Sequence, residues 1–113
     1  FARLAAGFAA AFARWPTGSY LLWYPIKRRR AADDLAAAVS QTLAAAPSKA
    51  AALRLEFSVA PPQDGDGGLV SAGLLIVNPP WSLRDELKLI LPELARPLGQ
   101  GGPGRYRLAP LTD

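Results

Sequence analysis

Hydrophobic and polar positions change their spacing several times along this chain, and each change marks a new element. Leu4, Phe8, Ala11, Phe12 and Trp15 recur every three or four residues, which predicts a helix over residues 3–15. Pro16-Thr17-Gly18 stops it. Ser19 to Tyr24 then runs without polar alternation until Pro25, as a central strand covered on both faces should. Leu35, Val39 and Leu43 form one stripe of a second helix over Ala31 to Ala46. Asp33 and Asp34 sit in its early turns, where the helix dipole favours negative charge.

Residues 51–59 switch to a period of two. Leu53, Leu55, Phe57 and Val59 point one way and Arg54, Glu56 and Ser58 the other, which predicts a strand with one wet face near a sheet edge. Pro61 to Gly68 reads as a loop and residues 70–77 as a returning strand, so 51–77 is expected to form an antiparallel hairpin. Ser82 is placed as the hydroxyl cap of a third helix carrying Leu87, Ile90, Leu91 and Leu94. That helix should kink at Pro92 and end near Gly99. Arg105 to Leu108 follows as a short last strand. This order predicts an α/β fold, the second half of an open sheet with one edge uncovered.

Composition narrows the chemistry. The chain has 113 residues, no His and no Cys. Imidazole catalysis, thiolate nucleophiles, disulfides and the usual zinc sites are thereby removed, and no metal-binding residue is assigned. Absence of Cys fits a cytoplasmic protein, and no apolar run approaches a membrane span. The first residue is Phe1 and there is no Met, so the chain is read as a piece of a longer protein. Thirteen Lys and Arg against nine Asp and Glu give +4, a modest basic excess that suits RNA. Lys27, Arg28, Arg29 and Arg30, after a strand end and at a helix start, are the candidate phosphate contacts. A solvated helix face is the bland reading of the same run. Arg105 and Arg107 are weaker candidates. Among Tyr20, Trp23 and Tyr24, core packing is expected for most, with Tyr24 nearest a rim where it could line a base pocket.

Asn78-Pro79-Pro80-Trp81 carries the most specific chemistry. An Asn or Asp, two prolines and an aromatic after a buried strand suit methylation of an adenine amine. Asn78 and the carbonyl carried by Pro79 would accept the amine hydrogens while Trp81 stacks on an extruded base. The alternative is a stiff strand-to-helix turn, with the prolines barring further pairing and Trp81 covering the core. A donor site for S-adenosylmethionine is missing beside it. The cluster Gly99-Gln100-Gly101-Gly102-Pro103-Gly104 follows a helix rather than a strand, and no helix opens after it, so no cofactor-binding residue is assigned.

Several blocks, in order, resemble one bacterial family. They are Gly18-Ser19-Tyr20-Leu21-Leu22-Trp23-Tyr24-Pro25, Leu53-Arg54-Leu55-Glu56, Ser71-Ala72-Gly73-Leu74-Leu75-Ile76-Val77-Asn78-Pro79-Pro80-Trp81 and Leu91-Pro92. Together they resemble the RlmJ-type 23S ribosomal RNA adenine-N6 methyltransferases from about Ala5 to Leu108. The resemblance implies a class I (Rossmann-like) methyltransferase fold that uses S-adenosylmethionine, with 23S ribosomal RNA as partner. It also implies that the family's Asp-Pro-Pro-Tyr tetrad and cofactor ligands lie upstream of the matching segment. Residue by residue, Asn78-Pro79-Pro80-Trp81 falls on the family's second Pro-Pro element, which is not the catalytic one. The expectation is therefore that residues 1–113 are the C-terminal half of such a sheet, ending in an antiparallel hairpin and inactive alone. Two rivals stay open: a DNA or RNA adenine methyltransferase with Asn78, Pro79 and Trp81 catalytic, or a non-enzymatic α/β RNA-binding module.

Overall fold

Phe8 and Phe12 bring the first helix onto the sheet. In the computed structural model, which describes residues 1–47, 49–61 and 69–111, α1 spans Ala2–Arg14 and buries both rings. They stack 5.5 Å apart, and each meets the ring of Tyr20 edge-on. Tyr20 opens β1 (Tyr20–Pro25), and its hydroxyl lies 2.6 Å from the Trp15 carbonyl and 3.0 Å from that of Ala11. One side chain thus closes the end of α1.

The second helix, α2 (Arg29–Ala45), buries Ala32, Leu35, Ala36, Val39 and Leu43 on the expected stripe. It begins two residues early. Arg29 and Arg30 therefore occupy its first turn, Arg28 is an N-cap without a side-chain bond, and no carboxylate is present there. Cations in a first turn oppose the helix dipole, so something else must hold them. The order continues with β2 (Ala52–Ser58), β3 (Ser71–Val77), α3 (Leu83–Leu98) and β4 (Arg105–Pro110). Ser82 precedes α3 but its hydroxyl makes no cap bond, contrary to expectation. Pro92 and Pro97 both lie inside the continuous helix.

The sheet order is β1-β3-β2-β4, with every neighbouring pair antiparallel. β1 and β2 consequently run the same way with β3 reversed between them. The expected hairpin is present, and the Val59 N–H donates to the Val70 carbonyl beyond its last pair. The rest of the loop anticipated at 61–68 falls at residues 62–68, outside the described residues. Three expectations change. The hairpin does not end the sheet, because β4 adds beside β2; β2 is internal rather than near an edge; and β1 is an edge strand rather than a central one. The result is a small α/β structure with a four-stranded antiparallel sheet.

One face of that sheet carries Tyr20, Leu22, Tyr24, Leu75, Val77 and Ala52, all packed with α1 and α2 in a single core. On the other face the buried set is small: Leu53 and Ile76, with Leu91 and Ala95 of α3. Leu21 and Trp23 of β1 stay 69% and 56% exposed there, so β1 is covered on one face only. Ile90, Leu94 and Leu98 also leave much of the α3 apolar stripe open. Among the described residues, no helix is long and apolar enough to cross a membrane.

Gly73 is required by a close approach. It faces Tyr24 across the β1–β3 ladder, and a Cβ placed on it would overlap the Tyr24 ring and hydroxyl. Gly73→Ala should cost about 1–3 kcal/mol through overpacking. Urea denaturation should also show a smaller loss in a Tyr24→Leu background, because the two positions share one space. Equal losses in both backgrounds would contradict the contact.

Candidate nucleic-acid interface

The face of β2 expected to be wet is the more deeply buried one. Arg54 and Glu56 retain only 9% and 5% of their surface, directly opposite Leu75 and Gly73 of β3. Alternation reports which residues share a side, not which side meets water. Distant residues supply the partners that let these charges stay inside. The Glu56 carboxylate accepts from Arg29 Nη1 at 2.8 and 2.9 Å, from Arg54 Nη2 at 3.1 Å and from the Tyr24 hydroxyl at 3.2 Å. Arg107 Nη1 stands 3.9 Å away. Asp33 completes the set, 2.6 Å from Arg54 and 3.7 Å from Arg29. The Arg54 Nε is buried without a partner among the described residues.

These contacts set the local titration. Burial pushes the Tyr24 phenol above 10.0, and the neighbouring Glu56 charge adds to that while Arg54 opposes it. The hydrogen bond from Arg54 holds Asp33 below 3.8, aided by the charges of Arg54, Arg29 and Arg107. For Arg54, burial disfavours the charge, yet the bonds to Asp33 and Tyr24 and the charge of Glu56 outweigh it and the guanidinium is held more firmly.

The basic run divides accordingly. Arg29 turns inward to Glu56 and explains the early start of α2. Lys27, Arg28 and Arg30 are exposed and make no ion pair among the described residues. Arg105 and Arg107, exposed on β4, share the face of Ser58 and Glu56. Tyr24 is fully buried, so it cannot line a base pocket in this arrangement. Trp23, expected in the core, lies outside it. With Leu55, Phe57, Ala72, Gly73 and Leu74 it lines a shallow apolar hollow of about 140 Å³.

Asn78 sits at the opposite end of the sheet from Lys27–Arg30, because β3 runs against β1 and β2. Its φ of 52° is left-handed, a conformation Asn tolerates better than most residues. The side-chain amide donates to the Pro16 and Gly18 carbonyls, both at 2.9 Å. Its backbone N–H donates to Ala51 at 2.8 Å, and its carbonyl accepts from Ser19 Oγ at 2.7 Å. Asn78 therefore ties the α1–β1 turn to the start of β2. Trp81 is 94% exposed and does not cover the core.

The glycine-rich loop does not fit S-adenosylmethionine. Gln100 N–H donates to Val59 and Gly104 N–H to Ala95, each at 2.6 Å, so these amides face protein rather than ligand. The adjoining hollow, about 190 Å³, has no carboxylate among its described lining residues. Small-molecule sites are usually larger, on the order of 300–1,000 Å³.

The fold and these residues define a small α/β domain with a group of exposed basic residues at one end of an antiparallel sheet. Residues 1–112 match the model of the family described as ribosomal RNA large subunit methyltransferase D, RlmJ, and the chain belongs to that family. It is 30% identical over 101 residues to ribosomal RNA large subunit methyltransferase J of Haemophilus influenzae, covering 89% of this chain and 34% of that protein. To the protein of the same description from Escherichia coli K12 it is 32% identical over 102 residues, covering 87% and 33%. The chain thus spans about a third of the length of these curated relatives. A solved protein from Legionella pneumophila str. Philadelphia 1 shares the fold with a TM-score of 0.75 at 23% identity, over 93% of this chain and 36% of that one.

What sequence reading missed is the joint role of Arg54 and Glu56 of β2 with Tyr24 of β1, whose interplay joins two strands. A Glu and an Arg flanked by Leu on a short strand were the available signal. Because the Tyr24 value is raised, its contribution is complete below pH 10 and is lost as pH climbs through the folded value. The melting-temperature gap between wild type and Tyr24→Phe should therefore shrink above pH 10, and a gap constant to pH 11.5 would refute the buried phenol. At Asn78, replacement by Ala should cost about 2–3 kcal/mol, from left-handed strain and lost hydrogen bonds. Asn78→Gly should cost less, since only the bonds are lost; the reverse order in urea melts would rule out the tether.

Proposed function

We propose that this chain is the later part of an S-adenosylmethionine-dependent 23S ribosomal RNA adenine-N6 methyltransferase of class I, Rossmann-like fold. It supplies closing strands and part of the RNA-facing rim in the cytoplasm. The family match over residues 1–112 carries this reading. The relatives' names support the ribosomal RNA substrate, and their length supports a larger enzyme. Strand geometry agrees with the assignment: β1 and β2 run together with a reversed strand between them, and the outer edge of β1 pairs with no described strand. A parallel strand from elsewhere in the enzyme would continue the sheet at that edge and leave Leu21 and Trp23 under a further layer.

Donor binding and the catalytic acceptors belong, on this reading, to the other two thirds of the enzyme. Asn78-Pro79-Pro80-Trp81 serves as a rigid exit turn, with its amide already engaged by Pro16 and Gly18. Ligands of α/β sheets approach beyond the carboxyl ends of parallel strands. The carboxyl ends of β1 and β2 lie at Pro25 and Ser58, away from Asn78. The basic run stands at that favourable end.

The decisive measurement is methyl transfer to unmodified 23S ribosomal RNA, read as N6-methyladenosine after nuclease digestion. Full-length protein should transfer one methyl group per RNA, and the isolated 113 residues none. Full-length Asn78→Ala should keep its turnover at a temperature where it is folded. Transfer by the isolated chain, or loss of turnover in a folded, donor-binding Asn78→Ala protein, would overturn this division of labour.

A further inference from the structure

Exposed cations collect at one end of the sheet. Among the described residues, Lys27, Arg28, Arg29, Arg30, Arg54, Arg105 and Arg107 are accompanied there by Asp33, Asp34 and Glu56, an excess of four positive charges. A local excess of this kind is the electrostatic footprint of a polyanion surface.

Register brings two distant stretches to the same end of the sheet, on its two opposite edges. The Ile26 N–H donates to the Ser71 carbonyl at 2.9 Å, Ser71 lies opposite Ser58, and Ser58 lies opposite Arg105. Lys27 and Arg28 thus leave β1 at the sheet end where Arg105 enters β4. Arg107, about 7 Å further along the same face, approaches Glu56 from one side while Arg29 approaches it from the other. Both side chains keep more than half of their surface, 52% for Arg29 and 59% for Arg107.

We propose that Lys27, Arg28, Arg105 and Arg107 form a strip that contacts successive phosphates of an RNA backbone, with Glu56 and Arg29 as the positioning pair behind it. This rests on the ribosomal RNA reading above and adds the residues that would grip it. Lys27, Arg28 and Arg105 have no ion pair among the described residues, so they are available to an anion. Guanidinium forks suit phosphate oxygens, and an arginine already held by a buried carboxylate loses less freedom on binding. An anion would also relieve the cations crowded at the start of α2. Membrane binding usually takes a different form, an amphipathic helix with an inserted apolar face.

The test is the salt dependence of binding between full-length protein and in-vitro-transcribed, unmodified 23S ribosomal RNA. Each lost phosphate contact should lower the slope of log K against log salt by about 0.7–0.9. A Lys27→Gln/Arg28→Gln/Arg105→Gln protein should therefore lose about two units of slope and bind about tenfold more weakly at moderate salt. Arg107→Gln should subtract one further contact, and because it touches Glu56 its melting temperature is checked first; the triple variant disturbs no described ion pair and decides if the fourth fails to fold. Arg84→Gln/Lys88→Gln, on α3, should bind as wild type. Unchanged slope in the triple variant, or an equal loss in the control, would overturn the strip. So would loss of binding to phosphatidylserine vesicles with RNA binding intact, which would make the surface a membrane contact. Wild-type protein that binds RNA through the strip but transfers no methyl group would remove the enzyme reading alone. Normal transfer with an unchanged slope would remove the strip alone.

Discussion

A carboxylate buried on an internal strand imposes conditions that most of this structure meets. Glu56 lies under the start of α2 and must find hydrogen-bond donors there, since an unpaired buried charge is far more costly than a paired one. Arg29, Arg54 and Tyr24 provide them, from a helix, the same strand and, across β3, the edge strand β1. Tyr24 reaches Glu56 only because residue 73 has no side chain to block it. Arg29 meets the acid only because α2 begins early enough to carry it, against the preference of the helix dipole. The register of β2 is bound to the same requirement. A slip of one residue would turn Glu56 and Arg54 to the apolar face and expose their partners.

The two ends of the sheet have different physical characters. At the Asn78 end, backbone and side-chain hydrogen bonds gather the α1–β1 turn, the start of β2 and the exit of β3 into one tied corner. At the other end backbone hydrogen bonds run from Ile26 to Ser71, Val59 to Val70 and Gln100 to Val59, and exposed cations stand beyond the Ser58–Ser71 pair, whose hydroxyls lie 2.6 Å apart. Antiparallel pairing is what separates these ends. It places the exit of β3 as far as the sheet allows from the exits of β1 and β2. The Asn78-Pro79-Pro80-Trp81 motif and the run Lys27–Arg30 are thereby held at opposite ends of the sheet.

Apolar surface is distributed as unevenly as charge. One face of the sheet is sealed by α1 and α2, while Leu21, Trp23, Ile90, Leu94 and Leu98 remain on view around the other. Exposed apolar residues gathered in this way mark surfaces that meet further protein. In the proposed enzyme the remaining two thirds of the length supply that protein. The free edge of β1 and the bare face beside it are then two views of one junction.

Much of the chain could be read from spacing alone. Three helices and four strands fall within about two residues of where periodicity and the Pro and Gly signals put them, and the β2–β3 hairpin was evident from two apolar runs around a polar loop. The Asn-Pro-Pro-Trp block and its neighbours were also sufficient to indicate the family. Local order is legible because helix and strand periods, turn residues and caps are properties of a few adjacent residues. Tertiary structure decided the rest. Alternation at 53–59 grouped Arg54 with Glu56 but could not reveal that this side is interior, since the groups that neutralise it, Arg29, Asp33 and Tyr24, come from elsewhere in the chain. Continuous hydrophobicity in β1 could not distinguish a strand covered on both faces from one covered on a single face at an edge. Burial is a relation between distant segments, and only the assembled sheet brings those segments together.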